Sequence, residues 1–163
     1  MISDFLFLLY IYLFIHSRTA AMPETGAFYI ETVCGGKVVT KKPNGIFDHE
    51  ADDDKHGATQ HWTIEYDGDN DKKVAFQNSS NGQWLRAFGA NGGNKIDTGD
   101  KSWWLLEQGP APGSCFIKST EFPNAYLCNS YGYVADGNTV YVWPKQVCFR
   151  SPLVCGRDAD AVL

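Results

Sequence analysis

Short runs of alternating apolar and polar residues follow residue 26 and predict a protein made of β-strands. The runs are rich in Val, Ile, Phe, Tyr and Trp, and Asn-Gly, Gly-Gly, Asp-Gly and Pro-Asn pairs separate them. An apolar face with helical spacing over three turns does not occur outside residues 5–15. The 16 glycines suit the many tight turns that such a chain needs. We therefore expect an all-β fold.

Three segments of the chain repeat one pattern of strand, polar turn and apolar pair. They are FYIETVCGGKVVT at 28–40, VAFQNSSNGQWLR at 74–86 and CFIKSTEFPNAYLC at 115–128. The centres of the first strands, Ile30, Phe76 and Ile117, are 46 and 41 residues apart. The apolar pairs that follow are 46 and 42 residues apart. Because two independent anchors agree on the period, we interpret the segments as three copies of one unit.

A strand led by Trp follows each of the first two copies. It reads QHWTIE at residues 60–65 and SWWLLE at residues 102–107. In the third copy the Trp position falls either on Trp143 or on Phe149. We prefer Phe149, since residues 136–143 resemble a turn followed by an inner strand.

A closed arrangement of the three copies is the expected architecture. A single copy holds about four short strands and cannot bury its apolar face alone. Three copies that form a barrel, capped by a triangle of hairpins, bury that face and remove the exposed sheet edges. We place this domain at residues 22–150. Residues 151–163 are expected to form a C-terminal tail, because no clear closing strand follows residues 148–150.

From residue 27 to about residue 147 the sequence resembles the β-trefoil superfamily. The Gln-x-Trp signature of ricin-B-type lectins occurs once intact, at Gln60-His61-Trp62, and Ser102 replaces the Gln in the second copy. The second copy, VAFQNSSNGQWLRA, also has the form found in fascin-like actin-binding domains. The resemblance implies a pseudo-threefold trefoil of repeats of about 40 residues that acts in binding. The repeated Trp itself indicates a core position, and function does not follow from the fold.

Composition and charge narrow the classes of partner. The 163 residues suit one domain, and 44% hydrophobic with 14% aromatic residues suffices for a packed core. The net charge is −5 and the pI is about 5.2. An acidic protein gains little from attraction to phosphates, so we expect no nucleic-acid partner.

The first 21 residues leave the cellular location open. Residues 5–15 read FLFLLYIYLFI, which has the length of a signal-peptide core and is too short for a stable membrane span. Small residues at 19–21 suit signal peptidase, but Asp4 precedes the apolar run without any Lys or Arg. The protein is secreted if residues 1–21 act as a signal peptide. It is cytoplasmic if Met22 is the true start.

Sugar binding is the chemistry that the loops fit best. An aromatic ring stacks on the apolar face of a sugar, and a few polar groups bind its hydroxyls. Similarity to ricin-type lectins implies an Asp after the second strand of a copy, an aromatic residue on the third strand, and an Asn or Gln. The Asp position corresponds to Thr40, Arg86 or Cys128, so no copy keeps it. The remaining candidates are Asn129, Tyr131, Asp136, Asn138, Tyr141 and Trp143 in the third copy, and Arg86, Asn94 and Asp97 in the second.

Metal, cofactor and catalytic motifs are missing from the sequence. The five cysteines include no CxxC pair, and no Cys or His pair has the spacing of a zinc site. The acidic stretches at residues 48–55 and 67–71 lack the helix-loop pattern and distal Glu of a calcium site. GxSxG, GxGxxG and a Walker-type phosphate loop are absent. We therefore predict a binding protein without metal or cofactor rather than an enzyme.

Three functions fit these features, with a glycan or a protein as the partner and an undetermined oligomeric state. The preferred one is a lectin-like carbohydrate-binding module. The first alternative is a fascin-like module that binds actin or another protein. The second is a trefoil-type protease inhibitor, which would use the loop at residues 48–57 or at residues 122–125 as a substrate mimic.

Overall fold

A computed structural model describes most of the chain after residue 26. It describes residues 27–32, 36–68, 70–90, 94–109, 114–129, 135–145 and 153–158. Residues 1–21, Tyr131 and Phe149, on which three of the predictions fall, lie outside these ranges. The chain is all-β, as predicted. Its strands are β1 Phe28–Thr32, β2 Val38–Lys42, β3 Gly45–His49, β4 Trp62–Asp67, β5 Asn70–Asn78, β6 Trp84–Ala87, β7 Asn94–Gly99, β8 Trp104–Gln108, β9 Cys115–Ser119, β10 Tyr126–Asn129, β11 Asn138–Trp143 and β12 Leu153–Asp158, and a 3-10 turn at Gly57–Thr59 lies between β3 and β4.

Six of the strands form a closed barrel. Around the ring, β1 pairs with β4, β4 with β5, β5 with β8, β8 with β9, β9 with β12, and β12 with β1. Every one of these pairs is antiparallel. Because the ring closes on itself, the barrel has no edge strand whose backbone groups stay unpaired.

The other six strands form three hairpins at one end of the barrel. Hairpin 1 is β2–β3, hairpin 2 is β6–β7 and hairpin 3 is β10–β11. Strand β11 joins them, since it pairs with β3 at Asn138↔Asp48 and with β7 at Tyr141↔Lys95. The hairpins therefore cap the barrel as a connected unit.

Corresponding strand pairs occur in the three predicted copies. The first strand of each copy joins its last strand at Phe28↔Trp62, Val74↔Trp104 and Cys115↔Leu153. Each last strand also joins the first strand of the next copy, at Trp62↔Asn78, Trp104↔Ser119 and Leu153↔Thr32. The strand pairing of the first two copies thus has a counterpart in the third.

This pairing corrects the expected register of the third copy. Leu153, rather than Phe149 or Trp143, occupies the place that Trp62 and Trp104 hold. Leu153 follows Trp104 by 49 residues, whereas Trp104 follows Trp62 by 42. The longer interval arises because residues 144–152 connect β11 to β12, whereas only residues 100–103 connect β7 to β8. A constant repeat length of about 42 residues therefore does not predict where β12 begins.

The same strand corrects the expected C-terminal boundary. Strand β12 lies within residues 151–163, which the sequence analysis assigned to a tail, and it pairs with both β1 and β9. The expectation that no closing strand follows residue 150 was wrong. The segment LVCGRD gave a weak signal because Gly156 interrupts it, and glycine has a low strand propensity.

The barrel core draws matching residues from the copies. Ile30, Phe76 and Ile117 are all buried, as the repeat predicted. Trp62 and Trp104 are fully buried, and their indole N–H groups donate to the carbonyl oxygens of Val39 (2.9 Å) and Leu85 (3.0 Å). Each Trp thus fills the barrel and also satisfies a carbonyl of the adjacent hairpin.

Candidate functional site

Alternation along hairpin 3 separates its side chains into two faces. Its cross-strand pairs are Tyr126↔Trp143, Leu127↔Val142, Cys128↔Tyr141 and Asn129↔Val140. Leu127, Val140 and Val142 belong to the barrel core. Because successive strand residues point to opposite sides, the outer face carries Tyr126, Cys128, Tyr141 and Trp143.

A second, smaller aromatic cluster covers this outer face. Phe116, Tyr126 and Cys128 are its buried members, and the half-buried Trp143 packs against them. The rings of Phe116 and Tyr126 meet edge to face, with centroids 6.2 Å apart and an interplanar angle of 84°. Trp143 packs against this cluster and is itself only partly buried.

Charged groups surround the cluster. Glu107 Oε2 lies 2.5 Å from Lys145 Nζ, and Glu107 Oε1 lies 3.6 Å from Lys118 Nζ. The hydroxyl of Tyr126 donates to the Glu107 carboxylate at 3.3 Å. Lys145 Nζ lies 5.0 Å from the ring centroid of Phe116 and 5.5 Å from that of Tyr126. We call Glu107, Phe116, Lys118, Tyr126, Trp143 and Lys145 the hairpin-3 surface.

The charge state of this surface follows from the ion pair. The hydrogen bond from Lys145 lowers the pKa of Glu107 below its usual value, against a smaller opposing effect of burial. The same bond raises the pKa of Lys145. Both groups are therefore charged at neutral pH.

The other residues named in the third copy lie elsewhere on the hairpin. Asn129 points to the barrel side, where its Nδ2 donates to Asp48 Oδ2 at 3.0 Å. The backbone N–H of Asn138 donates to Asp48 Oδ1 at 2.9 Å. The N–H of Gly137, which has a φ of 83°, donates to the Asp48 carbonyl oxygen at 2.7 Å. These contacts join the third copy to β3 of the first.

Asp136 takes part in the same joint. Its Oδ1 lies 2.9 Å from Lys37 Nζ and accepts the backbone N–H of Glu50 at 2.9 Å. Lys37 also pairs with the Glu50 carboxylate at 2.8 Å. We call Lys37, Asp48, Asn129, Asp136 and Asn138 the polar joint. Of the predicted third-copy residues that the structure describes, Tyr141 and Trp143 lie on the outer face.

Asp48 is the member of the polar joint that sequence reasoning missed. Its side chain is fully buried on the barrel side of β3. Burial raises the pKa of Asp48, against the opposing effect of the hydrogen bonds from Asn129 and Asn138. The only signal in the sequence was a carboxylate two residues after Ile46, a core residue of the same strand.

The candidate residues of the second copy do not converge on one point. Arg86 and Asp97 face each other across hairpin 2. The Arg86 guanidinium nevertheless lies 3.5 Å from Asp100 and 3.3 Å from Glu121, while Asp97 pairs with Lys41 at 3.0 Å. The backbone of Asn94 pairs with Val142, and its side chain is outside the described part.

The three positions that correspond to the lectin Asp carry no exposed carboxylate. Thr40 is fully buried, and its hydroxyl donates to the Val38 carbonyl oxygen at 3.0 Å. Arg86 is held in the ion pairs described above. Cys128 is 1% exposed. Any sugar-binding polar groups must therefore come from other positions.

Gln60 of the Gln-x-Trp signature has a structural role. Its Nε2 donates to Thr40 Oγ1 at 3.1 Å and to the Glu50 carbonyl oxygen at 2.7 Å, and its Oε1 accepts the Asp52 N–H at 3.0 Å. These bonds tie the β3–β4 loop to β2. Ser102, its counterpart in the second copy, is buried and too short to do the same.

Neither candidate inhibitor loop is extended. In the first, the Asp52 carbonyl oxygen accepts the N–H groups of His56 (2.7 Å) and Gly57 (3.4 Å), which makes a compact turn. In the second, the Ala125 N–H donates to the Phe122 carbonyl oxygen at 3.2 Å, and Asn124 has a φ of 62°. A substrate mimic needs an extended segment, as in peptides that bind by strand addition. This geometry weighs against the inhibitor alternative.

Two further searches of the described residues gave negative results. Within those ranges no helix has the length and apolar character needed to cross a bilayer. No group of three or more His, Cys, Asp or Glu side chains in the same ranges is arranged to hold a metal ion.

The six-stranded barrel with its three capping hairpins is a β-trefoil, the fold that ricin B-like lectins share. A ricin B-like lectin from Macrolepiota procera, solved in complex with lactose, matches with a TM-score of 0.69 and 21% identity over 84% of this chain and 99% of that one. The Rhizoctonia solani agglutinin matches with a TM-score of 0.66 and 14% identity, over 83% of this chain and 96% of that one. The designed threefold symmetric protein ThreeFoil matches with a TM-score of 0.65 and 14% identity, over 79% of this chain and 98% of that one.

Sequence comparison adds no assignment to the structural matches. No family model matches the chain. No curated protein matches it either. At these identities the structural likeness establishes the fold, and the function has to be argued from the surface.

Proposed function

We propose that this pseudo-threefold trefoil, built of three repeats of about 40 residues, is a carbohydrate-binding module of lectin type. The proposed binding site is the hairpin-3 surface, with Trp143 as the residue that stacks on the sugar. One observation carries the proposal. A partly exposed Trp lies on the third strand of its copy, supported by the aromatic cluster and bordered by charged groups.

The aromatic cluster gives this surface the physical properties of a sugar site. A pyranose ring buries its C–H face on an indole, and the supporting rings of Phe116 and Tyr126 hold that indole in place. Fixing the orientation beforehand reduces the entropy lost on binding. Tyr141, on the same face, supplies a further phenol.

Several polar groups lie beside the stacking residue. The Lys118 and Lys145 ammonium groups and the Glu107 carboxylate provide donors and an acceptor for sugar hydroxyls. Each hydrogen bond contributes about 0.5–1.5 kcal/mol net, so a useful affinity needs several of them together. The solved complex of the Macrolepiota lectin with lactose supports the carbohydrate proposal by analogy of fold.

The electrostatics of the surface favour binding over catalysis. Acid catalysis of glycoside cleavage needs a carboxylic acid whose pKa is raised towards neutrality. Glu107 is the carboxylate of the hairpin-3 surface, and its pKa is lowered by Lys145. We therefore propose no enzymatic activity for this site.

A glycan array with three forms of the full chain tests the proposal. The wild-type protein should bind a subset of glycans, and Trp143→Ala should weaken that binding by about tenfold or more, which equals about 1.4 kcal/mol. Trp103→Ala is the matched control, since Trp103 is a half-buried Trp whose ring lies 4.5 Å from Lys101 Nζ, outside the hairpin-3 surface. An array without wild-type binding, or equal binding by Trp143→Ala, would contradict the proposal.

One observation favours the protein-binding alternative. Phe88 is 60% exposed, and the Arg86 guanidinium lies 5.8 Å from the centroid of its ring. Exposed aromatic and Arg side chains are common at the centre of protein interfaces. Cosedimentation with actin filaments, compared between the wild type and Phe88→Ser, separates this alternative from glycan binding.

A further inference from the structure

We infer that the glycan bound at the hairpin-3 surface carries a negative charge, as a sugar carboxylate or a sulfate ester. This inference rests on the carbohydrate-binding function proposed above and specifies its ligand class. It is drawn from the two lysines of the surface and their arrangement around the aromatic cluster.

The hairpin-3 surface has a positive balance in an acidic protein. Lys118 and Lys145 give two positive charges and Glu107 one negative charge, so the surface carries a net charge of +1. The whole chain carries −5. The side chains of Lys118 and Lys145 are 29% and 36% exposed, so a ligand can reach both.

Strand pairing places a cation and the stacking Trp on opposite sides of one residue. Tyr126 pairs with Lys118 of β9 on one side and with Trp143 of β11 on the other. Neighbouring strands lie about 4.8 Å apart, so two strand spacings separate Lys118 from Trp143. A sugar ring stacked on Trp143 would direct an exocyclic acidic group along this row towards Lys118.

The two lysines differ in how they are held. Lys145 is fixed by Glu107 and lies close to the rings of Phe116 and Tyr126. Lys118 is 3.6 Å from Glu107, which is beyond hydrogen-bond distance. Its ammonium lies 5.8 Å from the Tyr126 ring centroid and can still donate to a ligand. A charge-assisted bond is roughly twice as strong as a neutral one.

The equivalent residues of the other copies show that this cation is specific to the third copy. Strand pairing aligns Lys118↔Tyr126 with Glu31↔Val38 and with Gln77↔Trp84. The third copy thus has a Lys where the first has a Glu and the second a Gln. In the same copy, the position of the lectin Asp is the buried Cys128. The third copy therefore places a cation at this position and has no carboxylate at the position of the lectin Asp.

The test uses an array on which neutral, sialylated, uronate-containing and sulfated forms of the same glycans are printed together. Binding is measured at 0.15 M salt, where a Debye length of about 8 Å screens the overall charge of the chain and leaves contacts within the surface. The full wild-type chain should bind charged forms about tenfold more tightly than their neutral parents. The preferred acidic group identifies carboxylate or sulfate as the source of the charge.

Lysine variants then attribute the preference to the hairpin-3 surface. Lys118→Gln should reduce the affinity for the charged glycans several-fold more than the affinity for their neutral parents, because a neutral amide still donates to a hydroxyl but does not neutralise an acidic group. The matched control is Lys72→Gln, because Lys72 is an exposed strand lysine on β5. Circular dichroism verifies that both variants fold like the wild type.

The possible results separate this inference from the proposed function. If neutral and charged forms bind equally, or if Lys118→Gln leaves the preference intact, the charge inference is overturned while glycan binding stands. If no glycan binds at all, the proposed function fails and the inference fails with it. A preference for charged forms that Lys118→Gln reduces supports both.

Discussion

At the residue scale, Asp48 shows how a single buried carboxylate joins two copies. Its oxygens accept the Asn129 amide and the Asn138 N–H, 81 and 90 residues further along the chain. A buried carboxylate is costly unless hydrogen bonds compensate it. The raised pKa of Asp48 shows that burial outweighs those bonds.

The raised pKa of Asp48 predicts a pH dependence of stability. The native state holds the Asp48 proton more tightly than the unfolded state, so this group costs stability as pH rises from the ordinary pKa of 3.8 through the raised value. Asp48→Asn removes that cost. The free energy of unfolding of the variant minus that of the wild type should therefore become more positive as pH rises from 4 to 7. Urea unfolding at several pH values measures it.

Asp53 provides the control for this experiment. Its pKa is lowered, chiefly by the hydrogen bond from the Tyr29 hydroxyl, so its contribution to stability is lost only as pH falls below 3.8. Asp53 Oδ1 also lies 2.9 Å from His61 Nε2, so the control is made in a His61→Gln background, where Asp53→Asn should show no slope between pH 5 and 7. A flat profile for Asp48→Asn as well would refute the assigned role of Asp48.

At the scale of elements, β12 is the strand on which closure of the barrel depends. It lies between β1 and β9 and pairs with both. Without it, both neighbours would present open edges and the apolar barrel interior would face water. Through its pairing with β1, this last strand of the described residues joins the first one.

Removal of residues 151–163 is therefore predicted to prevent cooperative folding. The truncated chain should lose its sharp thermal transition, bind a hydrophobic dye and associate, because two strand edges become exposed. Removal of residues 159–163, which follow β12, is the matched control and should leave the transition unchanged. Calorimetry and gel filtration measure both. Cooperative unfolding of the shorter chain would place the domain boundary before β12.

The candidate site was predicted from sequence only in part. Trp143 and Tyr141 were predicted as sugar-site residues. The structure places both on the outer face of hairpin 3, and their part in sugar binding stays a prediction. Asn129, Asp136 and Asn138 were predicted as sugar-binding residues, and in the structure they take part in the polar joint. Sequence spacing does not show which side of a hairpin another copy will cover.

Glu107, Lys118 and Lys145 were missed for a related reason. They lie on β8, on β9 and after β11, and only strand pairing brings them to the same aromatic cluster. The register of the third copy was predicted wrongly for a similar reason. It depended on the length of the β11–β12 connection, which the regular period did not reveal.

At the scale of the whole molecule, three similar copies carry three different outer surfaces. The position of Trp143 corresponds, by hairpin register, to His49 in the first copy and to Gly99 in the second. A glycan that needs a stacking indole therefore has one place to bind at these equivalent positions. The fold repeats, but the surface chemistry does not.

This difference predicts one glycan site per chain. Calorimetric titration with a glycan selected on the array should give a stoichiometry near one, and Trp143→Ala should abolish the heat of binding. His49→Ala, at the equivalent position of the first copy, should leave both stoichiometry and affinity unchanged. A stoichiometry near three would show that the copies bind equivalently and would exclude the hairpin-3 surface as the sole site.

The sequence by itself determined the all-β class and the core positions of Trp62 and Trp104. These features are local, because strand alternation and turn residues are written in neighbouring residues. The tertiary structure alone decided that Leu153 takes the strand-pairing position of Trp62 and Trp104, that β12 closes the barrel, and that Lys118 and Lys145 lie beside the rings of Tyr126 and Phe116. Those outcomes depend on pairing between residues far apart in the chain, and burial of the shared apolar core selects that pairing.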